Sequence, residues 1–171
     1  MTLDNSHSMN GVALTTSLKL QITQVNKGQR VGIANTSYWG IPVRAKTTYR
    51  ASFYAMASSD FTGPLTVDIE SHDGSKTYAK ATVKTISASW KQYSVKLTTS
   101  RVAPSEDNQF AISTSSPGTI WFNHVSLFPP TWNHRPNGLR IDLMHKSHYM
   151  HPGYLRFPGG NYLKGSTFNI L

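Results

Sequence analysis

From Leu18 onward, apolar and polar residues alternate in short runs, the period-two signature of half-buried strands. Leu18, Leu20 and Ile22 alternate with lysine and glutamine, and Val31 and Ile33 follow a turn signal at Gly28. Tyr49, Ala51, Phe53 and Ala55 alternate with Arg50, Ser52 and Tyr54. Leu65, Val67 and Ile69 alternate with Thr66, Asp68 and Glu70, and Asp73-Gly74 closes that run as a hairpin turn does. Further runs cover 78–86, 90–98, 109–114 and 120–128. These segments, with turn signals between them, predict an all-β fold, an antiparallel β-sandwich of jelly-roll, galactose-binding-like form.

The pattern changes after Phe128-Pro129-Pro130-Thr131-Trp132, where two prolines end the last strand and stiffen the exit. Asn137-Gly138 turns the chain, and Leu139, Leu143 and Met144 predict the apolar stripe of a short helix, stopped by Pro152-Gly153. Tyr154-Leu155-Arg156-Phe157 reads as a strand running into Pro158-Gly159-Gly160-Asn161. A sandwich over 1–132 and a helix–strand appendage over 133–171 are therefore expected. The appendage is a piece of α/β architecture too small to bury itself.

Composition narrows the chemistry. There are no cysteines among the 171 residues, which excludes disulfides, thiolate metal sites and cysteine nucleophiles. The first residues lack a basic start and an apolar run, so no signal peptide is expected, and no stretch is apolar enough for a membrane span. Seventeen basic residues oppose 8 acidic ones, for a net charge of +9. Such an excess favours polyanions. Lys80, Lys84 and Lys96 leave the polar sides of their strands and form the candidate polyanion face. No arginine-rich helix, zinc-finger spacing or RNP-like motif points to a specific nucleic acid.

Two stretches carry a resemblance. WNHRPNGLRIDL followed by YLRFPGGNYLKG is similar to the start of the catalytic barrel in glycoside hydrolase family 51, the α-L-arabinofuranosidases. IANTSYWGIPV, TTYRASFYA, SWKQYSVKL and IWFNHVSLFPPTW resemble the carbohydrate-binding-like jelly roll inserted in the eukaryotic members. The resemblance implies that 133–171 is a remnant of a (β/α)8 barrel. It also implies an extracellular setting and a cell-wall polysaccharide ligand of plant or fungal origin, arabinose-containing or pectic. Asn161 matches a sugar-contacting position, whereas Lys164 stands where the family has glutamate.

Retaining members need two carboxylates about 5–5.5 Å apart on later barrel strands. This chain has only Glu70 and Glu106 as glutamates, and neither sits in such a context. A non-catalytic, lectin-like protein is therefore expected, and the alternative is a fragment of a retaining arabinofuranosidase active only with the rest of the barrel. Asp68 and Glu70 share a strand side at a spacing of roughly 6.5–7 Å, which suits an inverting pair. Acids alternating on an outer sheet face are nevertheless expected to be solvated and inert. No cofactor is implied.

Asp142, His145, His148 and His151 repeat at three-residue steps, and His145 and His148 are the candidate ligands should a metal bind. Polar helix surface is the preferred reading. For a sugar, the apolar C–H face of the ring needs an aromatic platform. Trp39, Tyr38, Tyr54 and Trp90 are the candidates, whereas Tyr93 alternates with core residues and Trp121 and Trp132 are assigned to packing against a barrel. An unpaired strand at Leu155–Gly160 would favour self-association.

Overall fold

The computed structural model describes residues 1–9 and 14–154 and divides the chain into two compact units, Met1–Pro130 and Thr131–Leu171. The first is the predicted antiparallel sandwich. Its strands are β1 (Thr2–Asp4), β2 (Ser17–Ile22), β3 (Val31–Asn35), β4 (Thr48–Ala57), β5 (Leu65–Ser71), β6 (Thr77–Val83), β7 (Lys91–Thr98), β8 (Asn108–Thr114) and β9 (Gly118–Phe128). Five of them form one sheet in the order β1-β2-β9-β4-β7, and four form the other in the order β3-β8-β5-β6.

Alternation decides what faces inward. In β4, Tyr49, Ala51, Phe53, Ala55 and Ala57 are all buried, and the residues between them are not. Leu65, Val67 and Ile69 of β5 and Phe110 and Ile112 of β8 supply the opposing layer of the core. Phe53 is fully buried, with the rings of Tyr93 and Phe122 at 5.7 and 6.1 Å. The β5–β6 turn is fixed by Asp73, whose carboxylate accepts from the Ser75 amide at 3.0 Å and from the hydroxyls of Ser71 and Ser75. The Ser71 hydroxyl, first among these donors, holds the Asp73 carboxyl at about 2.

Two features depart from the sequence pattern. The short edge strand β1 was not predicted. It pairs with β2 and places Asp4 and His7 over Trp121: the indole Nε1 donates to Asp4 Oδ2 at 2.7 Å and the His7 ring stacks at 4.3 Å. Trp121 is thus covered by the N-terminal strap of its own unit. The Ser6 hydroxyl, with the indole N–H next, keeps the Asp4 carboxyl well below the usual carboxylate range. The second departure is a bulge in the β4–β9 pairing, where His124 adopts a φ of 48° and brings its ring to 5.9 Å from Tyr54.

In the second unit the helix α1 (Ile141–Tyr149) starts two residues later than Leu139, which instead accepts from the Trp132 amide through its carbonyl at 2.9 Å. None of the α1 side chains is buried, and Leu139 and Leu143 are exposed. Arg140 grips Asp142 with two hydrogen bonds, at 3.1 and 2.6 Å, just ahead of the first turn. The predicted strand over 154–157 lies outside the described residues except for Tyr154, as do Asn161 and the Leu155–Gly160 segment.

Truncating Phe53 to alanine removes a fully buried ring that touches the aromatic rings of both neighbouring strands, β7 and β9. Phe53→Ala is expected to lower stability by about 3–5 kcal/mol, read from the midpoint of urea unfolding with an unchanged slope.

Candidate functional site

Because Val67 and Ile69 point into the core, Asp68 and Glu70 must point to the outer face of the four-stranded sheet. The register sets their neighbours: Asp68 lies opposite Ala111 of β8 and Lys80 of β6, and Glu70 lies opposite Gln109. Thr66 lies opposite Ser113, which in turn faces Gly32 of β3. The outer face is therefore a lane floored by short side chains, with charged groups from β5 at its centre.

The two acids are not solvated, contrary to expectation. Asp68 is 2% exposed and Glu70 1%. Alternation fixes the side of the sheet but not what covers it. Here the guanidinium of Arg30, just ahead of β3, spans both acids. Its Nη1 donates to Asp68 Oδ2 at 3.1 Å and its Nη2 to Glu70 Oε2 at 2.5 Å, while Gln109 Nε2 donates to Glu70 Oε1 at 2.9 Å. Two buried oxygens, Asp68 Oδ1 and Ser113 Oγ, have no partner in the described structure. Both belong to this face, on adjacent strands and one residue pair apart along the lane. Burial pushes the Asp68 carboxyl up, opposed by Lys80 and Arg30 and reinforced by Glu70.

A second feature lies just beyond the strand ends. Tyr38 and Trp39 follow β3 and are 86% and 83% exposed, with one ring edge-on to the other at 4.8 Å. They border a depression of about 450 Å3 shared with His72, Glu106 and Asp107. A larger opening of about 730 Å3 is lined by Ile33, Ile41, Phe110 and Leu127, with Asn35, Thr36 and Ser126 among its polar residues.

The other sequence candidates are dispersed. Tyr54 stands on the outer face of the five-stranded sheet, its hydroxyl 3.4 Å from Gln92 Oε1, on a different sheet from the strand that leads into Trp39. Trp90, directly before β7, is half-buried. Lys80 and Lys96 are exposed on edge strands of different sheets, each on the outer side, and Lys84 follows β6. The single lysine face is therefore split between two sheets. His145 and His148 pack around Trp132, at 4.7 and 6.2 Å between rings, and among the described residues no group of three ligand side chains converges on a metal position.

Sequence reasoning missed Arg30, Gln109 and Ser113 as site residues. The available signal was the pair of acids at alternate positions in a strand bounded by strong core residues.

The sequence profile of the carbohydrate binding domain family matches residues 12–118. Over 154 residues the chain is 34% identical to the probable α-L-arabinofuranosidase A of Emericella nidulans, covering 87% of this chain and 26% of that protein. It is 31% identical over 161 residues to the α-L-arabinofuranosidase A of Aspergillus kawachii, covering 91% of this chain and 25% of the relative. A solved arabinose-bound α-L-arabinofuranosidase of glycoside hydrolase family 51 superposes with a TM-score of 0.86 at 35% identity, over 96% of this chain and 27% of its own. The chain thus spans about a quarter of the length of these relatives. A bacteriophage tailspike, at a TM-score of 0.53 and 17% identity over 75% of this chain and 17% of its own, shares the fold alone.

The raised carboxyl of Asp68 sets a pH dependence. Between the ordinary value near 3.8 and the raised one, the folded chain keeps a proton that the unfolded chain has released. Its contribution to stability is full below 3.8 and is lost as pH rises through the folded value. Asp68→Asn, which cannot ionise, should flatten stability against pH across that window. Arg30→Ala, which strands two buried acids, should cost about 2 kcal/mol near neutrality and less in acid, both read by urea unfolding at stepped pH.

Proposed function

This chain belongs to the carbohydrate-binding domain family, and we propose that it holds a cell-wall glycan along the outer face of its four-stranded sheet. The observation that carries this reading is the pair of buried, unpartnered oxygens on Asp68 and Ser113. An unpaired buried polar atom costs about 1–3 kcal/mol, so such a pair is retained where a ligand or water completes it. A sugar hydroxyl both donates and accepts. Both oxygens are buried in the free chain, so the side chains covering them shift as a sugar hydroxyl completes their hydrogen bonds and the ring covers the small residues Gly32, Ala34 and Ala111.

The chemistry suits binding rather than bond cleavage. Arg30 engages both carboxylates at once, which presents fixed acceptors to hydroxyls rather than a free acid and a free base. Arabinose-containing polysaccharide is the favoured ligand, because the relatives are named as arabinofuranosidases and the similarity covers nearly all of this chain. Such a ligand places the protein outside the cell. Since the chain spans about a quarter of those relatives, a second reading follows: it is the glycan-binding part of an arabinofuranosidase whose catalytic carboxylates lie elsewhere.

Isothermal titration against arabinan, arabinoxylan, polygalacturonate and β-glucan oligosaccharides, at about 0.15 M salt, tests this directly. Saturable binding to an arabinose-containing glycan is expected. Asp68→Ala and Ser113→Ala should each weaken it about tenfold, the effect of one buried hydrogen bond. Binding that survives both substitutions would sink the outer-face assignment. A signal for polygalacturonate alone, vanishing with salt, would reduce the interaction to the chain's positive charge.

A further inference from the structure

We infer that Tyr38 and Trp39, backed by His72, Glu106 and Asp107, form an aromatic subsite at one end of this face that takes the ring of a neutral sugar and rejects a uronate. The inference rests on the glycan reading above and adds a residue set and a selectivity to it.

The position follows from the register. His72 lies two residues beyond Glu70, and Asp107 two residues before Gln109, so both continue the outer side of β5 and β8 past the last ladder pair. The His72 amide donates to the Asp107 carbonyl at 3.1 Å, which extends the pairing to that point. From Ser113 to Asp107 the lane runs about 20 Å at strand rise, long enough for a ligand of several sugar residues.

The aromatic pair is exposed but not loosely held. The Ser37 amide donates to Asn35 Oδ1 at 2.7 Å, the Ile41 amide to the Asn108 carbonyl at 3.3 Å, and Asn108 Nδ2 to the Ile41 carbonyl at 2.8 Å. Between these anchors Gly40 has a φ of 82°, and a Cβ there would lie 1.8 Å from the Glu106 carbonyl oxygen. Only glycine lets the aromatic loop sit this close to the Glu106–Asp107 turn. With the rings edge-to-face at 87°, at least one broad ring face stays open, which is the surface that the C–H side of a sugar ring covers.

Charge sets the selectivity. The residues that line the depression with the rings include two acids, Glu106 and Asp107, both exposed, and no lysine or arginine. Hydroxyls find acceptors there, whereas a sugar carboxylate meets like charge. This end of the lane thus opposes the preference for polyanions that the overall excess of lysine and arginine suggests.

The test compares an α-1,5-linked arabino-oligosaccharide with an oligogalacturonate of equal length. Titration calorimetry and tryptophan emission are read on the wild type, Trp39→Ala, Asp68→Asn and the double variant Glu106→Gln/Asp107→Asn, each checked for fold by circular dichroism. Trp39→Ala should lose about tenfold in affinity for the neutral ligand, together with the ligand-induced emission change. The wild type should bind the uronate at least about fivefold more weakly, and the double variant should close that gap. If Asp68→Asn weakens binding while Trp39→Ala does not, the glycan lane stands and this subsite is overturned. If neither ligand binds the wild type, the glycan reading falls and the subsite with it. A uronate preference that survives in the wild type at high salt would overturn the selectivity alone.

Discussion

A strand cannot bury every second residue without sending the ones between to the other side, and β5 is where this constraint shapes the molecule. Val67 and Ile69 are fully buried in the sandwich core, so Asp68 and Glu70 are committed to the opposite face of an interior strand. There they are flanked by β8 and β6 and cut off from water. Two desolvated carboxylates would destabilise such a sheet by several kcal/mol if left unpaired. Arg30 offsets this by binding both, and Gln109 occupies one further oxygen of Glu70. The compensation stops short of complete: one oxygen of Asp68 and the Ser113 hydroxyl, both buried, have no partner among the described residues. Local rules are broken in natural proteins mainly where function asks for it.

The sandwich was legible because its evidence is local. Period two along Tyr49–Ala57 or Leu65–Ser71 depends only on neighbours in sequence, and the residues it assigns to the core are the buried ones. The site was legible in part only. Arg30 reaches Asp68 and Glu70 from 38 and 40 residues away, a pairing that no local pattern encodes. Likewise Lys80 and Lys96 both leave outward, as alternation requires, but β6 and β7 belong to different sheets and the common face dissolves. Strand direction can be read from sequence; sheet membership cannot. The β1 strap escaped for another reason: three residues are too few to show a period.

The tryptophans show how the same residue type reaches different ends. Trp121 lies on the outer side of the five-stranded sheet opposite Met56, a position where a large ring would be exposed. The N-terminal strap removes it from water through Asp4 and His7, so its indole is satisfied within the unit. Trp132 is partnered by histidine rings of α1, which explains the three-residue histidine step as packing around one indole. Among the described residues Trp39 has only Tyr38 as a ring partner, and it stays exposed on a well-anchored loop. Burial thus separates the covered indole of Trp121 from the exposed one of Trp39, with Trp90 and Trp132 half-buried between them, a distinction that composition alone does not contain.

Net charge and local charge also part company here. A charge of +9 acts at long range and is screened within about 8 Å at physiological salt, so it influences encounter more than fit. Fit is set by groups within hydrogen-bond reach: on this face Asp68 and Glu70 lie at the centre beside Arg30 and Lys80, and Glu106 and Asp107 lie at the end. A polyanion drawn in by the lysines therefore meets acidic groups beside the donors of this face, Lys80 and Arg30, the second of which is already committed to two acids. A neutral, hydroxyl-rich chain has no such conflict, since each hydroxyl supplies the proton these oxygens lack. On the glycan reading proposed above, the buried acids, which look like a liability for the fold, favour polyols over polyanions.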